Sequence, residues 1–227
     1  MRLFSHRNDI KMILKAVIFD LDGTLIDTTE EISHIFNELL HLNGFPKRDR
    51  QFYKTNIGNG VEDLLSKSLP EEYDEDLSTL LNQVKKIYAE NLNKRSKVFD
   101  GMLEVLGLLK SNQVDIGVIT NKMHHLAVRC VDKFFQGYQI KTMGAEYLYP
   151  RKPNPESALV MAGDFGHLPS EMLFIGDSSV DITTATNAGM IPIGVLWGNG
   201  TRSQLKNAGA DILFETTKDL EKYIRRL

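Results

Sequence analysis

Short apolar runs rich in β-branched residues alternate with helical patterns along most of this chain, and that alternation limits the folds open to it. The runs are Leu14 to Phe19, Asp115 to Thr120, Met172 to Ile175, Ile191 to Leu196 and Asp211 to Phe214, with a weaker one at Gln139 to Thr142. Most are apolar nearly throughout, the pattern of strands covered on both faces. Between them the sequence predicts helices at Asn121 to Phe135, at Pro155 to Ala162 with Asn154 as cap, and at Asp181 to Ala188 closed by Gly189. Two more are predicted at Arg202 to Ala208, closed by Gly209, and from Thr217 onward. Strands alternating with helices imply right-handed crossovers, hence an α/β fold with a doubly wound parallel sheet. At 227 residues the chain has room for one such unit and a small satellite.

One region departs from the rhythm. Between Thr28 and about Lys97 only helical pattern is present. Thr28 and Glu31 have capping-box spacing, and Ile32, Ile35, Phe36, Leu39 and Leu40 then fall on one helix face. A second strong helix carries Leu77, Leu80, Leu81, Val84, Ile87 and Tyr88. The expected organisation is an N-terminal extension over 1–11, a core formed by 12–27 and 96–227, and a helical domain at 28–95 inserted where it could cover a site.

The net charge of -3 offers no electrostatic case for binding nucleic acid or an anionic membrane. No apolar run approaches the ~20 residues of a membrane span, and the N-terminal MRLFSHRNDIK lacks the apolar segment of a secretory signal. The single cysteine, Cys130, reads as a buried thiol in a reducing cytoplasm.

In an open parallel sheet, ligands bind beyond the carboxyl ends of the strands. The first run delivers Asp20 and Asp22 there, followed by Gly23 and Thr24. The second ends in Thr120, Asn121 and Lys122. The Met172 run ends in Gly176, Asp177, Ser178 and Ser179, with Asp181 just inside the next helix. Lys152 lies in the loop segment RKPNP, stiffened by Pro153 and Pro155.

Asp20, Asp22 and Asp177 together would hold about three negative charges at pH 7, which calls for a cation. With carboxylates and carbonyls on offer, and His124 and His125 adjacent on a helix and unable to face one metal, Mg²⁺ is expected over Zn²⁺. A phosphate monoester could complete the shell, held by Thr120, the Asn121 amide and Lys152. Asp20 could attack phosphorus while Asp22 protonates the leaving oxygen and later activates water.

The four segments, Asp20-Leu21-Asp22-Gly23-Thr24, Thr120-Asn121, Lys152 and Gly176-Asp177-Ser178-Ser179-Val180-Asp181, resemble in order those of the haloacid dehalogenase superfamily of phosphohydrolases. The resemblance spans the chain from Leu14 onward. It implies a Rossmann-like catalytic core with a mobile helical cap, Asp20 as a nucleophile forming a phosphoaspartate, and Asp22 as acid/base. It further implies Mg²⁺ bound by Asp20, the Asp22 backbone carbonyl and Asp177, with Asp181 supporting the site. The second aspartate, absent from the founding dehalogenases, points to phosphoryl chemistry. Ile57-Gly58-Asn59-Gly60, Phe99-Asp100-Gly101, Lys152-Pro153-Asn154-Pro155 and Gly194-Val195-Leu196-Trp197-Gly198 are similar to phosphoglycolate phosphatases. That similarity makes 2-phosphoglycolate the expected substrate, Gly58, Asn59 and Gly60 the candidate substrate contacts, and Lys54 the candidate cation for its carboxylate. The expected protein is a cytoplasmic monomer or homodimer.

Three other readings compete. An EF-hand count would need glycine where Leu25 stands, and an apolar strand, not a helix, precedes the loop. A phosphorylatable receiver module would have its lysine last, whereas Lys152 precedes Asp177, and it has no use for an inserted cap. A pyrophosphatase, or a phosphosugar phosphatase or mutase with the same nucleophile, is the nearest rival.

Overall fold

β1 (Ala16–Phe19) is buried along its whole length because its two faces meet two separate apolar layers. Val17 and Phe19 point into one cluster, Ala16 and Ile18 into the other, the two-residue period of a strand. In the computed structural model, which describes residues 14–146 and 148–227, β1 sits inside a six-stranded parallel sheet. β4 (Asp115–Met123) and then β5 (Ile140–Ala145) lie to one side of it. β6 (Met172–Gly176), β7 (Ile191–Val195) and β8 (Ile212–Phe214) lie to the other. The chain therefore leaves β1 in one direction and returns to its opposite edge at β6. That reversal opens a crevice at the carboxyl end of β1. The extension expected over 1–11 lies outside the described residues.

Helices cover both faces. α5 (Met102–Ser111), α6 (His124–Phe134) and α10 (Thr217–Ile224) pack on the Val17/Phe19 side. α7 (Glu156–Phe165) and α8 (Ser179–Asn187) pack on the Ala16/Ile18 side. α9 (Arg202–Asn207) rests against α8 through Leu205 and Ile182. The doubly wound parallel sheet read from the alternation is the architecture present. Among the described residues, no helix is long and apolar enough to cross a membrane.

Two local expectations need correcting. The predicted helix start at Asn121 is three residues early: β4 runs on to Met123, and α6 begins at His124. Pairing with β5 slips between Thr120 and Met123, a bulge that lengthens the strand. Gly144 permits it, since a Cβ there would collide with the main chain of Lys122 and His124. The Thr28–Glu31 capping box does not form. Thr28 has φ −108° and ψ 2° with no capping bond, so its hydroxyl is not presented as an extended N-cap residue presents it. Asp27 Oδ1 instead accepts from Thr29 N at 3.1 Å, and Glu31 Oε2 accepts from Arg95 N at 3.1 Å.

The region without strand pattern holds α1 (Thr29–Leu42), α2 (Arg50–Asn56), α3 (Val61–Ser68) and α4 (Ser78–Asn91). At its base the short strands β2 (Ile26–Asp27) and β3 (Lys97–Val98) pair antiparallel, a ladder too brief to leave a periodic signal. Apolar residues of these helices, among them Phe36, Leu39 and Tyr53, join the same buried cluster as Phe19.

Phe174 anchors the opposite layer with no exposed surface. Phe174→Ala should lower unfolding stability by about 3–5 kcal/mol, read from urea denaturation; a loss under 1 kcal/mol would mean that this layer collapses around the gap.

Candidate active site

β1 ends at a crowded charge cluster. Asp20 follows the last residue of the strand, and Lys152 Nζ reaches its Oδ1 at 2.6 Å and Asp181 Oδ1 at 2.6 Å. Asp181 stands at the first turn of α8, where its Oδ2 accepts from Ser178 N at 3.0 Å and Ser178 Oγ at 2.6 Å. This is a capping box that fixes both residues. Asp177, next after β6, accepts from Thr24 Oγ1 at 3.1 Å and from Asn199 N at 2.6 Å. Thr24 is itself pinned, its carbonyl accepting from Trp197 Nε1 at 3.0 Å. Gly23 has φ +94°, and a Cβ on it would run into the Asp177 carboxylate, so the turn after Asp22 needs glycine.

The sequence-predicted residues Asp20, Asp22, Thr120, Asn121, Lys152 and Asp177 line one cavity of about 50 Å³. It lies between the carboxyl edge of the sheet and α1–α4, and its roof is apolar, formed by Ile32, Phe36, Ile57, Val61 and Leu64. Gly58 and Gly60 also line it, whereas Asn59 faces a neighbouring cleft with Ser178 and Ser179. Lys54, the cation expected beside the substrate, lines two other clefts and not this one. The Thr120 hydroxyl accepts from Lys122 N at 3.2 Å, and as a donor it is free for an anion among the described residues. The Asn121 carboxamide is committed to the main chain: it donates to Gly58 O at 3.0 Å and Lys152 O at 3.2 Å, and accepts from Lys152 N at 2.9 Å.

Two residues near the centre had no assigned role in the sequence reading. Lys122 Nζ lies 3.0 and 3.3 Å from the two oxygens of Asp22 and 2.6 Å from Tyr88 Oη, which α4 contributes. Lys122 stands two residues after Thr120, at the end of a strand longer than its pattern. Tyr88 looked like one more apolar position on a helix face. The Asn199 main chain left no signal, because a backbone donor can come from any residue.

Burial is the largest influence on Asp20 and raises its pKa well above the usual carboxylate value; Asp181 and Asp177 push the same way and Lys152 opposes them. Asp177 is pushed up to about 7, chiefly by burial and then by Asp181. For Lys152, burial acts to lower the pKa, but Asp181 and Asp20 outweigh it and hold the value raised. Carboxylate oxygens of Asp20, Asp177 and Asp181 lie within 4.8 Å of one another, all three buried. One ammonium does not balance them. An all-oxygen set with surplus negative charge suits a hard divalent cation such as Mg²⁺. Cys130 is buried as expected, with burial the main cause of a thiol pKa of about 12.

The raised carboxyls set a pH dependence with a definite sign. Asp177 binds its proton more tightly folded than unfolded, so its contribution to stability is full below about pH 4 and lost as pH rises through about 7. In EDTA, the melting temperature should fall across this window, and Asp177→Asn should flatten part of the fall. A wild-type profile that is level from pH 4 to 8, or an Asp177→Asn profile that tracks it, would contradict the assignment.

The model of the family described as haloacid dehalogenase-like hydrolase matches residues 17–195. A phosphoglycolate phosphatase of Mannheimia succiniciproducens is 30% identical over 223 residues, covering 92% of this chain and 98% of its own. A protein of Dickeya dadantii named probable phosphatase IndB is 32% identical over 209 residues, covering 90% of each chain. Among solved structures, one described as a predicted phosphoglycolate phosphatase from Haemophilus somnus superposes with a TM-score of 0.83 at 25% identity, over 94% of this chain and 99% of that one. A chain from Bacteroides vulgatus named for β-phosphoglucomutase shares the fold, with a TM-score of 0.73 at 24% identity, over 95% of this chain and 89% of that one. With its four segments gathered at one sheet edge and this kinship along nearly its whole length, the chain belongs to the haloacid dehalogenase-like hydrolases, as a phosphatase.

Proposed function

We propose that this phosphatase is a Mg²⁺-dependent phosphomonoester hydrolase that works through a phosphoaspartate on Asp20 and acts on a small phosphorylated metabolite, with 2-phosphoglycolate as the substrate best supported. The observation that carries the reading is the cluster of Asp20, Lys152, Asp181 and Asp177 at the carboxyl end of β1, with Asp22 two residues further on. The relatives named phosphoglycolate phosphatase support the substrate.

Lys152 holds Asp20 Oδ1, and Oδ2 has no hydrogen-bond partner among the described residues, which suits it to attack. Asp20 adds to phosphorus as the P–O bond to the leaving group breaks, and the departing oxygen takes a proton from Asp22. Asp22 then takes a proton from water, the water oxygen attacks phosphorus, and inorganic phosphate leaves with Asp20 regenerated. Thr120 Oγ, the Asn121 main chain and Lys152 Nζ orient the phosphoryl oxygens. Asp20, Asp177 and the Asp22 carbonyl would hold Mg²⁺, with Asp181 supporting them; the bound ion supplies positive charge against the phosphoryl oxygens. Residues 28–95 serve as a cap over residues 12–27 and 96–227, and their apolar roof excludes water.

A phosphosugar mutase shares the first half of this chemistry. The relatives named as phosphatases favour the hydrolase. The same reading has the enzyme working in the cytoplasm as a monomer or homodimer.

A panel of small phosphomonoesters and pyrophosphate, assayed for released phosphate with Mg²⁺, checks this. EDTA should abolish turnover and added Mg²⁺ restore it. Asp20→Asn should be inactive, and Asp22→Ala should lose about 10²–10⁴-fold in kcat. Near-normal turnover by Asp20→Asn would remove the nucleophile, and an isomerised phosphosugar in place of free phosphate would favour the mutase.

A further inference from the structure

We propose that Lys122 and Tyr88 form a second anion site in the cavity, one that takes a carboxylate on the leaving group and so selects short phosphomonoesters bearing one. The proposal rests on the phosphomonoesterase reading above and adds the residues that set its specificity.

The cavity divides by charge. Its phosphate end holds Lys152, already engaged by both Asp20 and Asp181. Its roof is apolar. Away from Lys152, the cation lining the cavity is Lys122, whose side chain is 3% exposed. Its charge is already paired with the Asp22 carboxylate, but an ammonium has three N–H donors, so one can still serve an anion beside Tyr88.

Tyr88 completes the site. Its Oη accepts from Lys122 Nζ at 2.6 Å, and among the described residues no acceptor takes its own hydroxyl proton. The residue is 4% exposed and lines the cavity. A buried O–H with no acceptor beside a buried ammonium offers two donors at one point, the arrangement that the two oxygens of a carboxylate satisfy. A methyl or plain hydrocarbon in the same place would leave the hydroxyl proton unmet. A site built to bond a substrate group discriminates strongly against the analogue lacking it.

Position fixes the length of the leaving group. Lys122 Nζ is 3.0 Å from Asp22 Oδ1, and Asp22 is the residue proposed to protonate the ester oxygen. A carboxylate seated on Lys122 is therefore only a few bonds from that oxygen. This is the spacing of a phosphorylated 2-hydroxy acid.

The test compares 2-phosphoglycolate with ethyl phosphate, its analogue with methyl in place of carboxylate, by kcat/KM with Mg²⁺. Wild type, Lys122→Met and Tyr88→Phe are assayed, each checked for native circular dichroism. Wild type should prefer 2-phosphoglycolate at least tenfold. That preference should drop by about 10–100-fold in Lys122→Met and by a smaller factor in Tyr88→Phe, chiefly through KM for 2-phosphoglycolate. Taking the ratio of two substrates cancels any general loss from a displaced Asp22. If Lys122→Met fails to fold, Tyr88→Phe, which keeps the ring, carries the test. An unchanged ratio in the folded variants, or a wild type that prefers ethyl phosphate, would overturn the second anion site and leave the phosphatase standing. A wild type inert toward every phosphomonoester in Mg²⁺ would overturn the hydrolase reading and this proposal with it.

Discussion

Three carboxylates share one buried ammonium at the end of β1, and the surrounding structure answers to that imbalance. Asp20, Asp177 and Asp181 lie within 4.8 Å of one another, and Lys152 reaches only the first and last of them. Ser178 takes up part of the remaining acceptor capacity through Asp181, and Thr24 and the Asn199 main chain do so through Asp177. These neutral donors ease the desolvation of the charges without cancelling them, since a hydrogen bond redistributes charge and does not neutralise it. A site left this far from balance, with oxygen donors throughout, suits a divalent cation.

The fold brings these groups together by ordinary means. A strand covered on both faces can be apolar throughout, so the first polar residue past its end marks the crevice, and β1 and β6 end there side by side with Asp20 and Asp177. The bulge in β4 is the less ordinary feature. It carries Lys122 past the point where the strand pattern stops and sets its ammonium against Asp22. α4 then crosses above with Tyr88, so a residue of the inserted helices touches the pair.

The alternation of apolar runs and helices made the sheet legible, because periodicity is written in side chains that the two layers select. Asp20, Asp177 and Lys152, each a weak signal alone, were legible through their order and their common placement at one edge of the sheet, where the structure gathers them. Less was legible where backbone geometry decides. The β4 bulge depends on room made by Gly144, and the β2–β3 ladder is only two residues deep on each side. Tyr88 was legible as a buried face and silent as a polar contact, since one aromatic side chain serves both uses. Thr28 and Glu31 had the spacing of a cap, yet Asp27 bonds the first helical N–H instead. Spacing alone does not reveal which of two adjacent oxygen-bearing residues the backbone will present.

Asn121 shows how fine the constraint becomes away from the charged groups. Its carboxamide gives one hydrogen to Gly58 O and one to Lys152 O, and takes one from Lys152 N. Aspartate has nearly the same outline, but it would aim oxygen lone pairs at both carbonyls. Leucine would match the volume and leave three main-chain groups unanswered. Neither size nor polarity therefore describes what this position tolerates. It discriminates by proton count, two given and one received, and glutamine, which meets that count, reaches a carbon too far.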